Sequence, residues 1–138
     1  MNFHEFIYQT KPLPIHIDSF GHMNNSSYLV LFEEARWEIL NNGNWEVEKI
    51  QKEKIGPVLL NVELSFKSEI KLGDLIVIKS RLLEIKNKKV VRFYQEMEKQ
   101  NGTIASRAIF EIGLFDLEKR KLINLTREWL NLLGATNV

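Results

Sequence analysis

The second half of the chain is a series of segments in which apolar and polar residues alternate, joined by very short turns. Four such segments run from about Val58 to Lys67, Leu75 to Ile85, Val90 to Glu98 and Thr103 to Asp116. A period of two is typical of β-strands, and the Asn-Gly pair between the last two is a strong signal for a tight hairpin. Strands joined by such short turns must be antiparallel neighbours. The sequence therefore predicts an antiparallel sheet of at least four strands.

One long helix precedes these strands. It is predicted from about Ser26 to Asn42 or Gly43, and Asn24, Asn25 and Ser26 are all suited to cap its first turn. Its first two turns, residues 28–32, are apolar all round, which indicates a helix end that is buried on every side. That pattern is expected when a curved sheet wraps around a helix.

Shorter elements complete the order. Two prolines interrupt the segment from Phe6 to Ile17, so we expect a short or edge strand there that reaches Asp18. Asp18 to Asn25 is predicted as a loop, and short helices are expected at about Val47–Glu53 and Thr126–Leu133. The whole order predicts one α+β domain over residues 1–138.

Composition narrows the possible functions. The chain has 138 residues, 44% of them hydrophobic and 27% charged, and its formal net charge is +1, so no global bias favours nucleic acid or a membrane surface. It has no cysteine, which excludes a disulfide framework, a thiolate zinc site and a cysteine nucleophile. The histidines lack the spacing of metal ligands. The start of the sequence does not resemble a signal peptide, and we expect a cytoplasmic protein.

The segment from Asp18 to Tyr28 joins an acid, a glycine, a histidine and two asparagines directly before the apolar helix. Core packing does not require that composition. A helix start carries N–H groups without partners and the positive end of the helix dipole. A carboxylate held beside them can act on a carbonyl group whose oxygen the N–H groups polarise. The segment therefore predicts chemistry on a carbonyl substrate.

The pattern D-x-x-G-H-[VM]-N-N-x-x-Y, followed by a helix with E-x-A-R, resembles the signature of hot-dog-fold acyl-CoA thioesterases, within these the 4-hydroxybenzoyl-CoA thioesterase-like group. Its H-x-N-N-x-x-Y part is also similar to acyl-ACP thioesterases. The resemblance implies a hot-dog fold, in which an antiparallel sheet wraps one long helix. It implies hydrolysis of an acyl thioester to a carboxylic acid and free CoA, without a metal or redox cofactor. It also implies a homodimer or homotetramer with sites between subunits.

The resemblance assigns the catalytic acid, as base or nucleophile, to Asp18 and a carbonyl-polarising backbone N–H to Asn25. From the residues alone, Asp18 more commonly caps its own loop and Asn25 the helix. His22 either orients the substrate or Asp18, donates a proton to the leaving thiolate, or has a structural hydrogen bond. Many relatives have a second Asp where this chain has His16, which leaves Asp18 alone. If Asp18 is not the catalytic acid, Glu33 or Glu34 is the reserve acid, that is, the next candidate, because one related subgroup carries its catalytic carboxylate on this helix.

Five residues are predicted to bind substrate: Gly21, Asn24, Tyr28, Lys89 and Arg92. Gly21 would permit a turn or a close approach, and Asn24 would hold the loop through side-chain hydrogen bonds. Core packing competes with a site role for Tyr28. Lys89 and Arg92 suit the phosphates of CoA, although any single basic residue of this kind is more commonly a solvated surface residue.

Other functions stay open at this level. A hot-dog dehydratase or hydratase would use a different motif from the one here. An acyl-thioester binding module would bind a ligand without turnover, and an acyl-ACP thioesterase would act on a carrier protein. Nucleic-acid binding has no support from the charge or aromatic pattern. Pocket depth is expected to depend on Phe20, Leu31, Leu59, Phe66 and Ile109.

Overall fold

The four predicted antiparallel strands all belong to one six-stranded sheet. The computed structural model describes residues 3–135. Its elements are β1 (Phe6–Thr10), a 3-10 turn (Pro14–His16), α1 (Asn25–Asn42), α2 (Val47–Glu53), β2 (Ile55–Phe66), β3 (Ile76–Ile85), β4 (Val90–Lys99), β5 (Ile104–Asp116), β6 (Lys121–Ile123) and α3 (Arg127–Leu132). The predicted α+β class is confirmed, and the ends of the predicted elements differ by a few residues at most, except in the first strand.

The strands lie in the order β1-β3-β4-β5-β2, and β6 pairs with the end of β5. Every pair is antiparallel, as the short turns require. β1 and β2 therefore form the two edges of the sheet. The pairing of β6 was not predicted, because three residues after a turn are too few for a recognisable alternation.

The first strand is shorter than predicted. It ends at Thr10 and does not reach Asp18. Pro12 and Pro14 have no N–H to donate to a neighbouring strand, and Pro14 instead begins the 3-10 turn. Beyond that turn, Ile17 forms only an isolated antiparallel bridge with Met23.

Helix α1 buries one face against the sheet. Leu31 and Phe32 are fully buried and Tyr28 nearly so, and the Phe32 ring meets Phe110 of β5 edge to face at 5.8 Å. The prediction that the first turns are buried on every side is wrong for this chain, because Leu29 and Val30 are exposed. The sheet of one chain covers one side of the helix and leaves the other open.

Strand β2 also leaves apolar side chains uncovered. A bulge between Leu59 and Asn61 interrupts the predicted alternation, since an extra residue shifts the faces of those that follow. Leu59, Leu60 and Phe66 are all exposed. A long apolar edge strand is normally paired or covered in a folded protein. Among residues 3–135, no helix has the length and apolar character that crossing a membrane requires.

Candidate active site

The loop between the 3-10 turn and α1 is closed by its own backbone. The N–H of Asp18 donates to the carbonyl of His22 and the N–H of Gly21 donates to that of Asp18, both at 3.1 Å. Gly21 has a φ of +86°, and a Cβ atom there would meet nothing within 4 Å. The positive φ of the turn therefore calls for glycine here, rather than a close approach of protein atoms.

Two backbone hydrogen bonds tie this loop to the rest of the protein. The N–H of Met23 donates to the carbonyl of Ile70 at 2.7 Å, and that of Asn24 donates to the carbonyl of His16 at 2.9 Å. His16 is buried, and its Nδ1 atom accepts a hydrogen bond from the N–H of Leu13 at 2.9 Å. His16, which stands where many relatives have a second Asp, therefore accepts backbone hydrogen bonds in this chain.

Asn24 is the N-cap of α1. Its Oδ1 atom accepts from the N–H of Ser27 at 3.0 Å and from the hydroxyls of Ser26 and Ser27 at 2.9 and 2.8 Å. This cap agrees with the loop-holding role predicted for Asn24. Asn25 is thus the first helical residue and not the cap. Within residues 3–135 its N–H, one of the orphan donors of a helix start, has no hydrogen-bond acceptor.

Asp18 lies opposite His22 in the loop that leads into α1. Its neighbour Ile17 pairs with Met23, two residues before the start of α1. Its Oδ1 atom accepts from the N–H of Phe20 at 2.9 Å, so the capping role considered for Asp18 is present. Its side chain is 29% exposed, which leaves the other carboxylate oxygen open to a substrate or water.

His22 lies between two carboxylates. Its Nε2 atom is 4.0 Å from Oδ2 of Asp18, and its Nδ1 atom is 3.5 Å from Oε2 of Glu69. Glu69 belongs to the connection between β2 and β3 and was not predicted as a site residue. Its local sequence carries no signal for such a role, because the contact depends on how that connection folds onto the loop.

Tyr28 packs against β2. It is 4% exposed, and its ring meets Phe66 of β2 edge to face at 4.9 Å. Burial, and secondarily the charge of Glu69, raises the pKa of the Tyr28 hydroxyl, so it stays protonated at neutral pH. The structure therefore gives Tyr28 a packing role, with a hydroxyl near the acids of the site.

Lys89 and Arg92 do not meet the loop within one chain. Lys89 is in the turn between β3 and β4, and Arg92 lies close behind it, 3.3 Å from Glu84. The loop lies near the other end of β4 and β5. Its Met23 N–H donates to the carbonyl of Ile70, and the N–H of Ser68, two residues earlier, donates to the carbonyl of Ala105. A strand of this length spans roughly 30 Å. The acid and these two basic residues therefore occupy opposite ends of the sheet.

A cavity lies between α1 and β2, along the later turns of the helix. It has a volume of about 230 Å³, and its wall includes Glu33, Arg36, Trp37 and Leu59. Of the side chains predicted to set pocket depth, Leu59 is the one in this wall. Glu33 is exposed at the cavity, whereas Glu34 points away to within 3.5 Å of the Tyr8 hydroxyl. Glu33 is thus better placed than Glu34 as the reserve acid.

A buried polar pair beside the cavity was not predicted. Arg36 donates to Oε1 of Gln95 on β4 at 2.9 Å, and Gln95 is fully buried. The signal was present in the sequence, because Gln95 takes the inward position between Phe93 and Met97 in an alternating strand. A polar residue at a core position requires a hydrogen-bond partner.

Within residues 3–135, no group of three or more His, Asp and Glu side chains is arranged to hold a metal ion. The candidate site instead combines two carboxylates, one imidazole and the start of a helix. These groups can withdraw a proton, donate one and stabilise a developing negative charge on a carbonyl oxygen.

Comparison with known proteins places the chain in a class. Solved structures with the same fold include the 1,4-dihydroxy-2-naphthoyl-CoA thioesterase Slr0204 from Synechocystis, with a TM-score of 0.85 at 16% identity over 94% of this chain and 96% of the other. A Staphylococcus aureus protein, SAV2348, solved in complex with CoA, gives a TM-score of 0.85 at 16% identity over 96% and 83% of the two chains. The predicted hot-dog fold is therefore confirmed.

Sequence comparison gives the family. The model of the thioesterase-like superfamily matches residues 13–132, and the chain belongs to that superfamily. The long-chain acyl-CoA thioesterase FadM of Escherichia coli (strain K12) is 28% identical over 120 residues, which cover 87% of this chain and 90% of FadM. The resemblance inferred from the Asp18–Tyr28 segment is confirmed.

Proposed function

We propose that the chain is an acyl-CoA thioesterase, which hydrolyses an acyl-CoA to a carboxylic acid and free CoA. The observation that carries the proposal is the loop that leads from Asp18 into α1, in which Asp18 faces His22 and the N–H of Asn25 at the helix start has no acceptor within residues 3–135. Membership of the thioesterase-like superfamily and the activity of FadM support it. The proposed chemistry uses no metal or redox cofactor.

In the proposed reaction, the thioester carbonyl oxygen accepts a hydrogen bond from the N–H of Asn25. Asp18 either removes a proton from an attacking water or attacks the carbonyl carbon itself. A C–O bond forms, the oxygen takes the negative charge that the helix start stabilises, and the C–S bond then breaks. The thiolate takes up one proton, directly or through His22, which lies 4.0 Å from Asp18. If Asp18 is the nucleophile, water then hydrolyses the mixed anhydride.

The remaining residues near the loop would act by shaping it. Gly21 provides the turn, Asn24 fixes the helix start and Tyr28 packs the first turn of α1 against β2. Each keeps Asp18 and the N–H of Asn25 in one geometry, and a misplacement of about 1 Å can cost on the order of 100-fold in rate.

We further propose a homodimer or homotetramer in which a second chain completes the site. The exposed apolar residues of α1 and β2 provide the surface: Leu29, Val30, Leu59, Leu60 and Phe66. Lys89 and Arg92 are far from Asp18 in their own chain, so phosphate contacts with CoA would come from the second chain. Residues 1–138 would act as one domain of this kind, and a cytoplasmic location stays a prediction.

The test is an assay of thiol release from acyl-CoA thioesters of short, long and aromatic acids. Turnover of any of them supports the proposal. If thiol is released only from acylated acyl carrier protein, the substrate is an acyl-ACP and not an acyl-CoA. Tight acyl-CoA binding without turnover would favour a binding module. A single turnover in ¹⁸O-labelled water then tests the nucleophilic role of Asp18. Label in the Asp18 carboxylate requires a mixed anhydride that water attacks at the Asp18 carbon, whereas a general base acquires no label.

A further inference from the structure

The cavity between α1 and β2 has a wall of hydrocarbon with one largely buried cation in it. Of its twelve lining residues, Glu33 and Arg36 carry charge, and Arg36 is mostly buried whereas Glu33 is exposed. An apolar pocket with a few polar groups at fixed positions is the usual form of a small-ligand site. The cavity therefore has the form of a site for a ligand that pairs with the Arg36 guanidinium.

Arg36 has spare hydrogen-bonding capacity. One of its nitrogens donates to Oε1 of Gln95 at 2.9 Å, and its central carbon lies 4.3 Å from the centre of the Phe110 ring. Among residues 3–135, no carboxylate lies within the 4.0 Å ion-pair distance of Arg36, because none of the ion pairs there involves it. A guanidinium has five N–H donors, so most remain for a ligand in the cavity.

The partner of Arg36 is itself held in place. The amide nitrogen of Gln95 donates to the carbonyl of Phe32 at 3.1 Å and to the hydroxyl of Ser80 at 3.0 Å. Both of its N–H groups are thereby used, which leaves the amide oxygen facing Arg36. The guanidinium is therefore fixed by buried groups and is not a mobile surface side chain.

A buried charge without a counter-charge is unfavourable unless something pairs with it. Burial lowers the pKa of Arg36 to about 10, against the opposing effect of the Glu33 charge, so the side chain remains a cation at neutral pH. A carboxylate is the ligand that matches a guanidinium in both charge and geometry.

We propose that Arg36 binds a carboxylate at the far end of the acyl chain, which makes the protein selective for CoA monothioesters of long dicarboxylic acids. The substrate class rests on the proposed function, whereas the carboxylate site does not. Asn25, Leu29, Glu33 and Arg36 follow one stripe of α1. Eleven residues separate Asn25 from Arg36, or about 16 Å of helix, which fits an extended chain of roughly 10–12 carbons with bonds of ~1.5 Å.

Binding of a free acid tests the site without any turnover. Trp37 and Trp129 are in the cavity wall, so tryptophan fluorescence should report its occupation by decanoate or by its neutral control, methyl decanoate. We expect wild type to bind decanoate roughly 10- to 100-fold more tightly than the ester, as a charge-assisted hydrogen bond allows. Arg36→Met should lose the preference, Arg36→Lys should keep part of it, and Glu33→Gln should increase it.

Equal affinity of wild type for the acid and the ester would overturn the proposal, even if no variant folded. An Arg36→Met variant that keeps the full preference would overturn it as well. Loss of the dimer in Arg36→Met, together with no preference in wild type, would assign Arg36 to an ion pair with a second chain.

Turnover tests the substrate class. The CoA monothioester of dodecanedioic acid is compared with dodecanoyl-CoA, and we expect wild type to show a lower KM for the former, with a preference of roughly tenfold or more in kcat/KM. Arg36→Met should abolish or invert this ratio, because the preference depends on the guanidinium. If both thioesters are hydrolysed and Arg36→Met does not change the ratio of their kcat/KM values, the proposed selectivity is wrong and the proposed thioesterase function stands. If neither is hydrolysed while wild type still prefers decanoate, the proposed function fails and the carboxylate site stands.

Discussion

The Nε2 atom of His22 lies 4.0 Å from Oδ2 of Asp18, while Oδ1 of Asp18 accepts the N–H of Phe20. One oxygen of the acid is thus fixed by backbone, and the other faces the imidazole and the open side of the loop. This division orients the carboxylate without consuming it, which is what a general base or nucleophile requires.

Asp18→Asn should lower kcat for acyl-CoA hydrolysis by roughly 10²–10⁴-fold, because the amide cannot accept the proton or attack the carbonyl. The amide oxygen still accepts the N–H of Phe20, so the fold should be retained. Asp116→Asn is the matched control, since Asp116 also accepts backbone N–H groups through Oδ1 at the opposite end of β5. Equal activity of Asp18→Asn and the control would move the base to another residue, with Glu33 next.

Asn24→Ala should destabilise the protein by about 0.5–2 kcal/mol, the usual cost of losing an N-cap. The hydroxyls of Ser26 and Ser27 lose this acceptor in the variant, and the N–H of Ser27 keeps only the backbone carbonyl of residue 24. Asn24→Asp should stay near the wild-type stability, because aspartate caps equally well. Urea unfolding measures both. A loss of activity in Asn24→Ala that exceeds its loss of folded protein would link the cap to the positioning of Asn25.

Gln95→Leu should lower the free energy of unfolding by about 1–3 kcal/mol, because it leaves Arg36, Ser80 and the Phe32 carbonyl short of partners. The double variant Arg36→Met/Gln95→Leu should lose less than the sum of the two single changes, since neither partner is then left unpaired. Urea unfolding of the four proteins gives the coupling energy. Strictly additive losses would mean that the 2.9 Å contact contributes nothing.

Acid should destabilise the protein through its turn carboxylates. The N–H of Lys119, opposed by burial and assisted by the N–H of Glu118, lowers the pKa of Asp116 below its usual 3.8. Between the pKa of Asp116 in the folded chain and its pKa in the unfolded chain, the unfolded chain binds more protons. The stabilisation from Asp116 is therefore complete above pH 3.8 and is lost as pH falls through the folded pKa. Asp116→Asn should unfold with a weaker pH dependence in that range. An unchanged profile by circular dichroism would contradict this account.

Val30→Asp should disrupt the proposed oligomer, because it places a charge among the exposed apolar residues of α1 and β2. Val47→Asp is the matched control: Val47 is 48% exposed on α2, and Val30 is 47% exposed on α1. Sedimentation equilibrium should report a smaller species for the first variant and an unchanged one for the second. A monomeric wild type would refute the proposed assembly outright.

Local patterns predicted most of this fold. Alternation and short turns located β3, β4 and β5, and the caps at Asn24 and Thr126 mark the starts of α1 and α3. The sequence was misleading where tertiary context decides: the apolar turns of α1 predicted burial on all sides, but Val30 is exposed in this chain. A hydrophobic pattern shows that a surface needs cover and not which chain supplies it.

The site was predicted only in part. The motif indicated the Asp18 loop, the helix start and His22, which the structure brings together. Glu69 joins them through a long-range contact that no local pattern encodes. Lys89 and Arg92 were chosen for their charge, but position along the sheet is a property of the topology, which places them at its other end.

The bond between Arg36 and Gln95 also concerns how uniquely the chain folds. Hydrocarbon contacts are non-directional, so a helix held by them alone has neighbouring arrangements of similar energy, slid along its axis or turned about it. A turn of one residue rotates the helix by about 100° and would separate Arg36 from a fixed amide oxygen in the middle of the sheet. A buried polar pair can thereby select a single alignment at some cost in stability. We expect this pair to fix how far α1 lies along its axis, and how it is rotated about it, relative to the sheet.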